Sequence, residues 1–345
     1  MNRLLVYIIA LLAGCTSCYQ FEEIQIDPPA PHAVLNAMFC SDSLVRANLS
    51  RTASDTEKKG SADAAASIED AQVELYVNDR WQGKLEKEAA PGWYRLPGYR
   101  PAVGDRLEIT ARTPDYGIVS GKTEIPGKTA ILSVDTLSRH RVGTWGYEWD
   151  DLEISIRMKD LAGERNFYLL TISSKRFWQK GDRVVDADTL VYGYWPWLKI
   201  SIDENSPLEN GDMDRDVYQS VFYRGFLLTD EGADGQEMTL KLTISDPELS
   251  YRDEEIRCRN YCRISLSSIS RSYYLYRRSR ALQKEQNDIL GDAGLREPIP
   301  TYTNIRNGYG LVASREEVVY ELEFPYQSQE PPYGNPFFPA MARTE

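Results

Sequence analysis

The chain has 345 residues, of which 42% are hydrophobic, 11% aromatic and 27% charged. At about 100–200 residues per domain, this length suggests two domains with apolar surface for sizeable cores; the composition excludes wholesale disorder, collagen and a multispanning membrane protein. With 40 basic against 52 acidic residues the net charge is −12. A duplex binder needs a basic face for the phosphates, so nucleic acid is a poor partner. There are two histidines, His32 and His140, which leaves the chain short of the commonest general base and metal ligand.

Residues 1–14 read as a signal peptide. Arg3 supplies a short positive region, and residues 4–13 are an unbroken apolar run. A membrane-spanning helix needs about 20 apolar residues, so this run is too short to cross. It ends in Leu12-Ala13-Gly14-Cys15, which resembles the lipobox of bacterial lipoproteins, with cleavage between Gly14 and Cys15 and lipid carried by Cys15. Each buried acyl CH2 contributes about 0.8 kcal/mol, and stable anchoring takes more than one chain. A lipidated Cys15 would therefore hold the protein to a membrane without spanning it. Residues 15–31 follow as a tether, stiffened by Pro28, Pro29 and Pro31 toward extended polyproline II. Glu22 and Glu23 give it an acidic patch, weakly similar to export signals of surface lipoproteins.

Four further cysteines are Cys18, Cys40, Cys258 and Cys262. An export route permits disulfides, and Cys258 with Cys262 is the candidate pair, closing a tight loop. Free, half-buried thiols are the alternative. No histidine or second cysteine pair lies close enough in sequence to make this a zinc site.

Period-two alternation dominates the rest. Strands are predicted at 73–77, at 81–86 after an Asn78-Asp79 turn, at 107–112 and at 118–125, stopped by Pro126-Gly127. Turn signals every 8–12 residues favour a β-sandwich over 32–127. Its insertion at 54–67 is polar and small, which suits a surface loop. A second sandwich is predicted over 128–329, with strands at 152–158, 167–178, 238–244, 264–266 and 318–324. One helix, at about 271–289 with Ser270 as its cap, interrupts this sandwich. Leu275, Leu282 and Ile289 form its apolar stripe, and Arg271, Arg277, Arg278, Arg280 and Lys284 a basic, solvated face that also suits lipid head groups or an acidic partner. Residues 330–345 are a Pro- and aromatic-rich tail. The expected fold class is mainly all-β: two β-sandwich domains, immunoglobulin- or transthyretin-like, with one helix in the second.

Chemistry is sparse. No nucleophile elbow, phosphate-binding Gly-Lys-Ser loop, His-Glu-x-x-His pair or dinucleotide fingerprint occurs. His32 falls in the tether and His140 in a predicted loop. Asp212, Asp214 and Asp216 open like a calcium loop, but Val217 and Tyr223 stand where glycine and glutamate are needed. Asp150-Asp151 and Asp203-Glu204 are paired carboxylates. Glycoside hydrolysis needs such a pair roughly 5–10 Å apart across a cleft, which sequence alone does not supply. The cluster Tyr192-Gly193-Tyr194-Trp195-Pro196-Trp197 is the candidate ligand site. Its rings suit stacking on a glycan or gripping a peptide, as well as packing in a core. No metal, cofactor or catalytic residue is assigned.

The C-terminal third carries a resemblance. Residues 264–276 (ISLSSISRSYYLY) and the segment Pro300-Thr301-Tyr302-Thr303-Asn304-Ile305-Arg306-Asn307-Gly308-Tyr309-Gly310-Leu311 resemble a Bacteroidetes lipoprotein family, domain of unknown function 4249. Further matching features are Val34-Leu35-Asn36-Ala37, residues 68–75, and Thr229-Asp230-Glu231 followed by Asp234-Gly235-Gln236. The similarity spans nearly all of 33–325. Ala37 and Leu311-Val312-Ala313-Ser314 depart from the usual pattern as packing changes. The resemblance implies an outer-membrane lipoprotein, often encoded beside TonB-dependent receptors, with no known catalytic residues. Residues 304–310 have a reading of their own: Asn and Gly tolerate positive φ, which suits a tight turn before the last strands.

Overall fold

The computed structural model describes residues 30–52, 67–143, 146, 148–180, 183–191, 200–202, 225–245, 256–290 and 299–323. The expected signal, the tether up to residue 29, the insertion at 54–67 except Ser67, and the tail lie outside them.

Eighteen strands and one helix make up the described fold. The first eight strands are β1 (Ala33–Phe39), β2 (Val45–Arg51), β3 (Gln72–Val77), β4 (Arg80–Lys84), β5 (Glu86–Lys87), β6 (Trp93–Leu96), β7 (Arg106–Thr113) and β8 (Gly117–Glu124). Alternation decides their faces. Leu35, Ala37 and Phe39 of β1, Ala47 and Leu49 of β2, Val73 and Leu75 of β3, and Leu107, Ile109 and Ala111 of β7 point into one buried core. Between β3 and β4 the chain reverses through Asn78 and Asp79, with φ of 51° and 63°. Paired left-handed residues are what a right-twisted two-residue hairpin requires, and Asn-Asp supplies them at small cost.

The next eight strands are β9 (Ala130–Val142), β10 (Glu148–Lys159), β11 (Phe167–Lys180), β12 (Arg183–Val191), β13 (Ile200–Ile202), β14 (Phe226–Thr229), β15 (Glu237–Ser245) and β16 (Ile256–Ile269). After them come α1 (Arg271–Leu290), β17 (Ile305–Arg306) and β18 (Tyr309–Glu323). A second core forms where Ile154, Ile156 and Met158 of β10 and Leu240 and Leu242 of β15 meet Tyr168, Leu170 and Ile172 of β11 and Ile264 and Leu266 of β16.

Three sheets result. The largest runs β12-β11-β16-β18-β1-β2-β6-β5, with β14 also on β11; the others run β13-β15-β10-β9 and β17-β8-β7-β3-β4. The fold is thus all-β and sandwich-like, with one helix near the C-terminus. β18 belongs to both halves. Tyr309 to Ser314 pair parallel with β1, and Arg315 to Glu323 pair antiparallel with β16. Residues 305–314, expected in the second sandwich, therefore complete the first, and the large sheet is continuous through one strand.

The helix forms a third layer over the outer face of that sheet. Tyr273 and Tyr274 pack on Phe167, Leu169, Leu227, Leu311 and Ala313. Ser270 is the cap: its Oγ accepts from the Tyr273 N–H at 3.4 Å and from the Ser314 N–H at 3.1 Å. One hydroxyl thus starts the helix and fixes it to β18, which sets the rotation of the helix. Of the expected stripe, Leu275 packs against this cluster and Leu282 does not. Leu282 is 42% exposed, while Arg277, expected on the solvated side, is buried.

Candidate functional site

Among the described residues of the second sandwich, a concave feature is built from two loops. One, residues 160–166, joins β10 to β11; the other, 230–236, joins β14 to β15. They enclose a cleft of about 310 Å³ lined by Gly163, Glu164, Arg165, Asp230, Glu231, Gly232 and Asp234. Carboxylate oxygens of Asp160, Asp230 and Asp234 lie within 4.8 Å of one another, the first two residues buried and the third exposed.

Each carboxylate stitches one loop to the other or to a strand. Asp160 Oδ2 accepts the Gly235 N–H at 2.8 Å, and its Oδ1 accepts the buried Tyr168 hydroxyl at 2.5 Å. Asp230 Oδ2 accepts the Asn166 N–H at 2.9 Å, and Asp234 Oδ1 accepts the Gly163 N–H at 2.7 Å. Asn166 Nδ2 donates to the carbonyl oxygens of Leu161 and Glu164 and to Asp230 Oδ2. Burial, reinforced by the bond to Asp160, holds the Tyr168 phenol protonated well above the usual tyrosine range. At the rim Arg165 meets Glu231 at 2.9 Å, both largely exposed, so that pair contributes little.

Chemically, three convergent carboxylates suit a hard cation such as calcium, which takes oxygen ligands only. Asp160, Asp230 and Asp234 are the group that would hold it. Their oxygens already receive backbone and phenol donors, so the cluster also closes the two loops without an ion. The sequence signal was Thr229-Asp230-Glu231 with Asp234-Gly235-Gln236, read as a family motif and not as a site. Asp160, 70 residues upstream of Asp230, carried no signal.

Other expected site residues fare differently. Gly14, Cys15, Tyr192, Tyr194, Trp195 and Trp197 lie outside the described residues, as do Asp203, Glu204, Asp212, Asp214 and Asp216. The Cys258–Cys262 pair is corrected. Both residues sit on the single strand β16, so their Cα atoms are roughly 13 Å apart, whereas a disulfide needs less than about 7 Å. Cys262 is a free, buried thiol, and burial pushes it up to about 12. Asp151 is buried and accepts Arg141 Nε at 2.9 Å. His140, expected in a loop, lies within β9. His32 precedes β1, with its ring edge-on to Tyr309 at 5.4 Å.

The 304–310 segment is a turn, as read from its Asn and Gly. Asn307 has φ 57° and Gly310 φ 109°. Asn304 Nδ2 donates to Lys122 O at 2.9 Å and Val312 O at 2.7 Å, while its Oδ1 accepts the Val312 N–H at 3.0 Å. A Cβ on Gly310 would lie 2.2 Å from Leu35 O. The segment locks β17, β8, β18 and β1 together.

These features define an all-β, sandwich-like protein whose last strand serves two cores and whose helix covers the joining sheet. The chain belongs to the family described as domain of unknown function (DUF4249), whose model matches residues 20–320. No curated protein matches it. Among solved structures, the B domain of a biofilm-associated protein aligns over 84% of this chain and 85% of its own, at 5% identity and a TM-score of 0.18. At that score neither fold nor function transfers.

Proposed function

We propose that this is a lipid-anchored cell-envelope protein without enzymatic activity, held to the outer membrane through Cys15 and acting as accessory to a TonB-dependent receptor in nutrient capture or uptake. The observation that carries the reading is Leu12-Ala13-Gly14-Cys15 at the end of an apolar run too short to span. Among the described residues no helix is long and apolar enough to cross a membrane. The receptor partner rests on what accompanies similar lipoproteins. The non-enzymatic reading is supported by the cleft carboxylates, whose oxygens already accept backbone and phenol hydrogen bonds. The test is a pull-down of the tagged full chain from detergent-solubilised outer membranes. A β-barrel receptor should co-purify; recovery of the bait alone contradicts the partnership.

A second reading is favoured by the Tyr192–Trp197 cluster: direct binding of a glycan or peptide by Tyr192, Tyr194, Trp195 and Trp197. Alanine at both tryptophans should then abolish binding on a glycan or peptide array, and unchanged binding argues against this site.

A further inference from the structure

Strand β9 lies at one edge of the sheet β13-β15-β10-β9. It is 13 residues long, and from Asp135 to Val142 every side chain is exposed. No described strand pairs with its outer side, so along that edge a row of backbone N–H and C=O groups has no ladder partner among the described residues. Natural sheets guard such edges with charges, bulges or covering elements, because a bare edge recruits another strand. β9 has a bulge at its start: Ile131 faces Met158 and Ser133 faces Arg157, which leaves Leu132 as the extra residue. A bulge ends regular pairing, so the regular edge begins at Ser133. Leu137, 53% exposed, sits in the middle of that stretch.

The charges on this edge are ordered. On the face away from Leu152 and Ile154 the strand reads Ser133, Asp135, Leu137, Arg139, Arg141, in phase with Glu153 of β10 and with Asp151, which is buried against Arg141. An antiparallel partner of identical sequence, centred on Leu137, sets Leu137 against Leu137, Asp135 against Arg139 and Ser133 against Arg141. On the inner face it sets Thr136 against Ser138, a pair able to hydrogen-bond across strands. By symmetry the Asp135–Arg139 contact occurs twice. Arg139 already holds Glu153, yet a guanidinium has five donors, and this side chain is 52% exposed.

Other registers are worse. Centring on Asp135 or Arg139 opposes like charges. Centring on Thr136 opposes Asp135 to Leu137, and centring on Ser138 opposes Leu137 to Arg139. Registers centred between residues would turn the core-facing side of one copy outward. The edge is therefore complementary to itself in one register, which is what an isologous two-fold contact requires.

We propose that β9 is a self-association edge, on which two copies of this chain pair antiparallel about a two-fold axis through Leu137 to make one continuous eight-stranded sheet. This goes beyond the envelope role and does not depend on Cys15. The test uses the full chain in detergent, followed by sedimentation equilibrium. A reversible dimer is expected. Asp135→Arg and Arg139→Asp should each weaken it about tenfold, since each replaces two cross-strand attractions by two repulsions, and the double variant should restore it. Leu137→Cys should give an oxidised dimer on a non-reducing gel, above the background of the parent chain. Ser138→Cys should not, because its symmetry mate is a diagonal neighbour. A chain that stays monomeric at all concentrations, leaving β9 to a strand of some other protein, overturns the proposal. So does a dimer indifferent to both charge reversals.

Discussion

Gly310→Ala tests the joint between the two sandwiches. Gly310 lies in β18 where that strand pairs with Leu35 of β1, and its φ of 109° lies where an L side chain is strained. Holding alanine there costs about 1–3 kcal/mol. The new Cβ would also sit 2.2 Å from Leu35 O and 2.8 Å from Leu35 C, roughly 1 Å inside contact. Those atoms belong to backbone already paired with both β2 and β18, so they yield only if the ladder shifts. Forced overpacking of this kind adds about 1–3 kcal/mol, for a total of about 2–6 kcal/mol. A useful control is Gly98→Ala, where φ is 77° but nothing lies within 4 Å, so only the backbone term applies. The assay is equilibrium denaturation, with hydrogen exchange followed by peptide. Gly310→Ala should lose stability well beyond Gly98→Ala, with faster exchange in β1, β18 and, through the shared strand, β16. Losses within about 1 kcal/mol of the control, or exchange confined to residues 307–310, would refute the reasoning.

Further consequences are open to measurement. Asn304→Ala removes three hydrogen bonds from one side chain and should cost about 2–3 kcal/mol in thermal or denaturant unfolding, whereas a surface change costs under about 0.5. Burial, then the bond to Asp105, raises Tyr99 to about 12. A raised folded value means that the stabilisation is complete below the ordinary tyrosine value of about 10 and is lost as pH rises through about 12. Absorbance titration of the phenolates should show this delayed component, and Tyr99→Phe should remove it. Tyr168 shifts in the same direction and should ionise only on alkaline unfolding. Cys262 should react with a thiol reagent only when the chain unfolds, as read by peptide mapping, because its sulfur is buried and its thiol held protonated.

Much of the fold was legible because strands with one buried face must alternate. Residues 73–77, 107–111, 152–158 and 238–242 all show apolar residues on the core side, as their spacing required. The turns at Asn78-Asp79 and at Asn307 were legible for the same local reason, a need for positive φ. What stayed hidden was long-range. The pairing of Val34 with Tyr309 joins positions 275 apart and leaves no periodic trace. The rotation of α1 is set by Ser270 bonding to Ser314, and the expected heptad reports it at Leu275 but not at the exposed Leu282. Spacing misled at Cys258 and Cys262, where four residues in a loop would sit close but four along a strand do not. The carboxylate cleft needed a third member, Asp160, that only the packing of β10 against the β14–β15 loop brings near.

The central claim is attachment through lipid at Cys15, and intact mass spectrometry of the protein extracted from the cells' own membranes tests it most directly. The mature chain should begin at Cys15, with added mass equal to two or three acyl groups together with their glyceryl link, and should partition with membranes. A chain that begins elsewhere, bears no acyl mass and is recovered in the medium would contradict it.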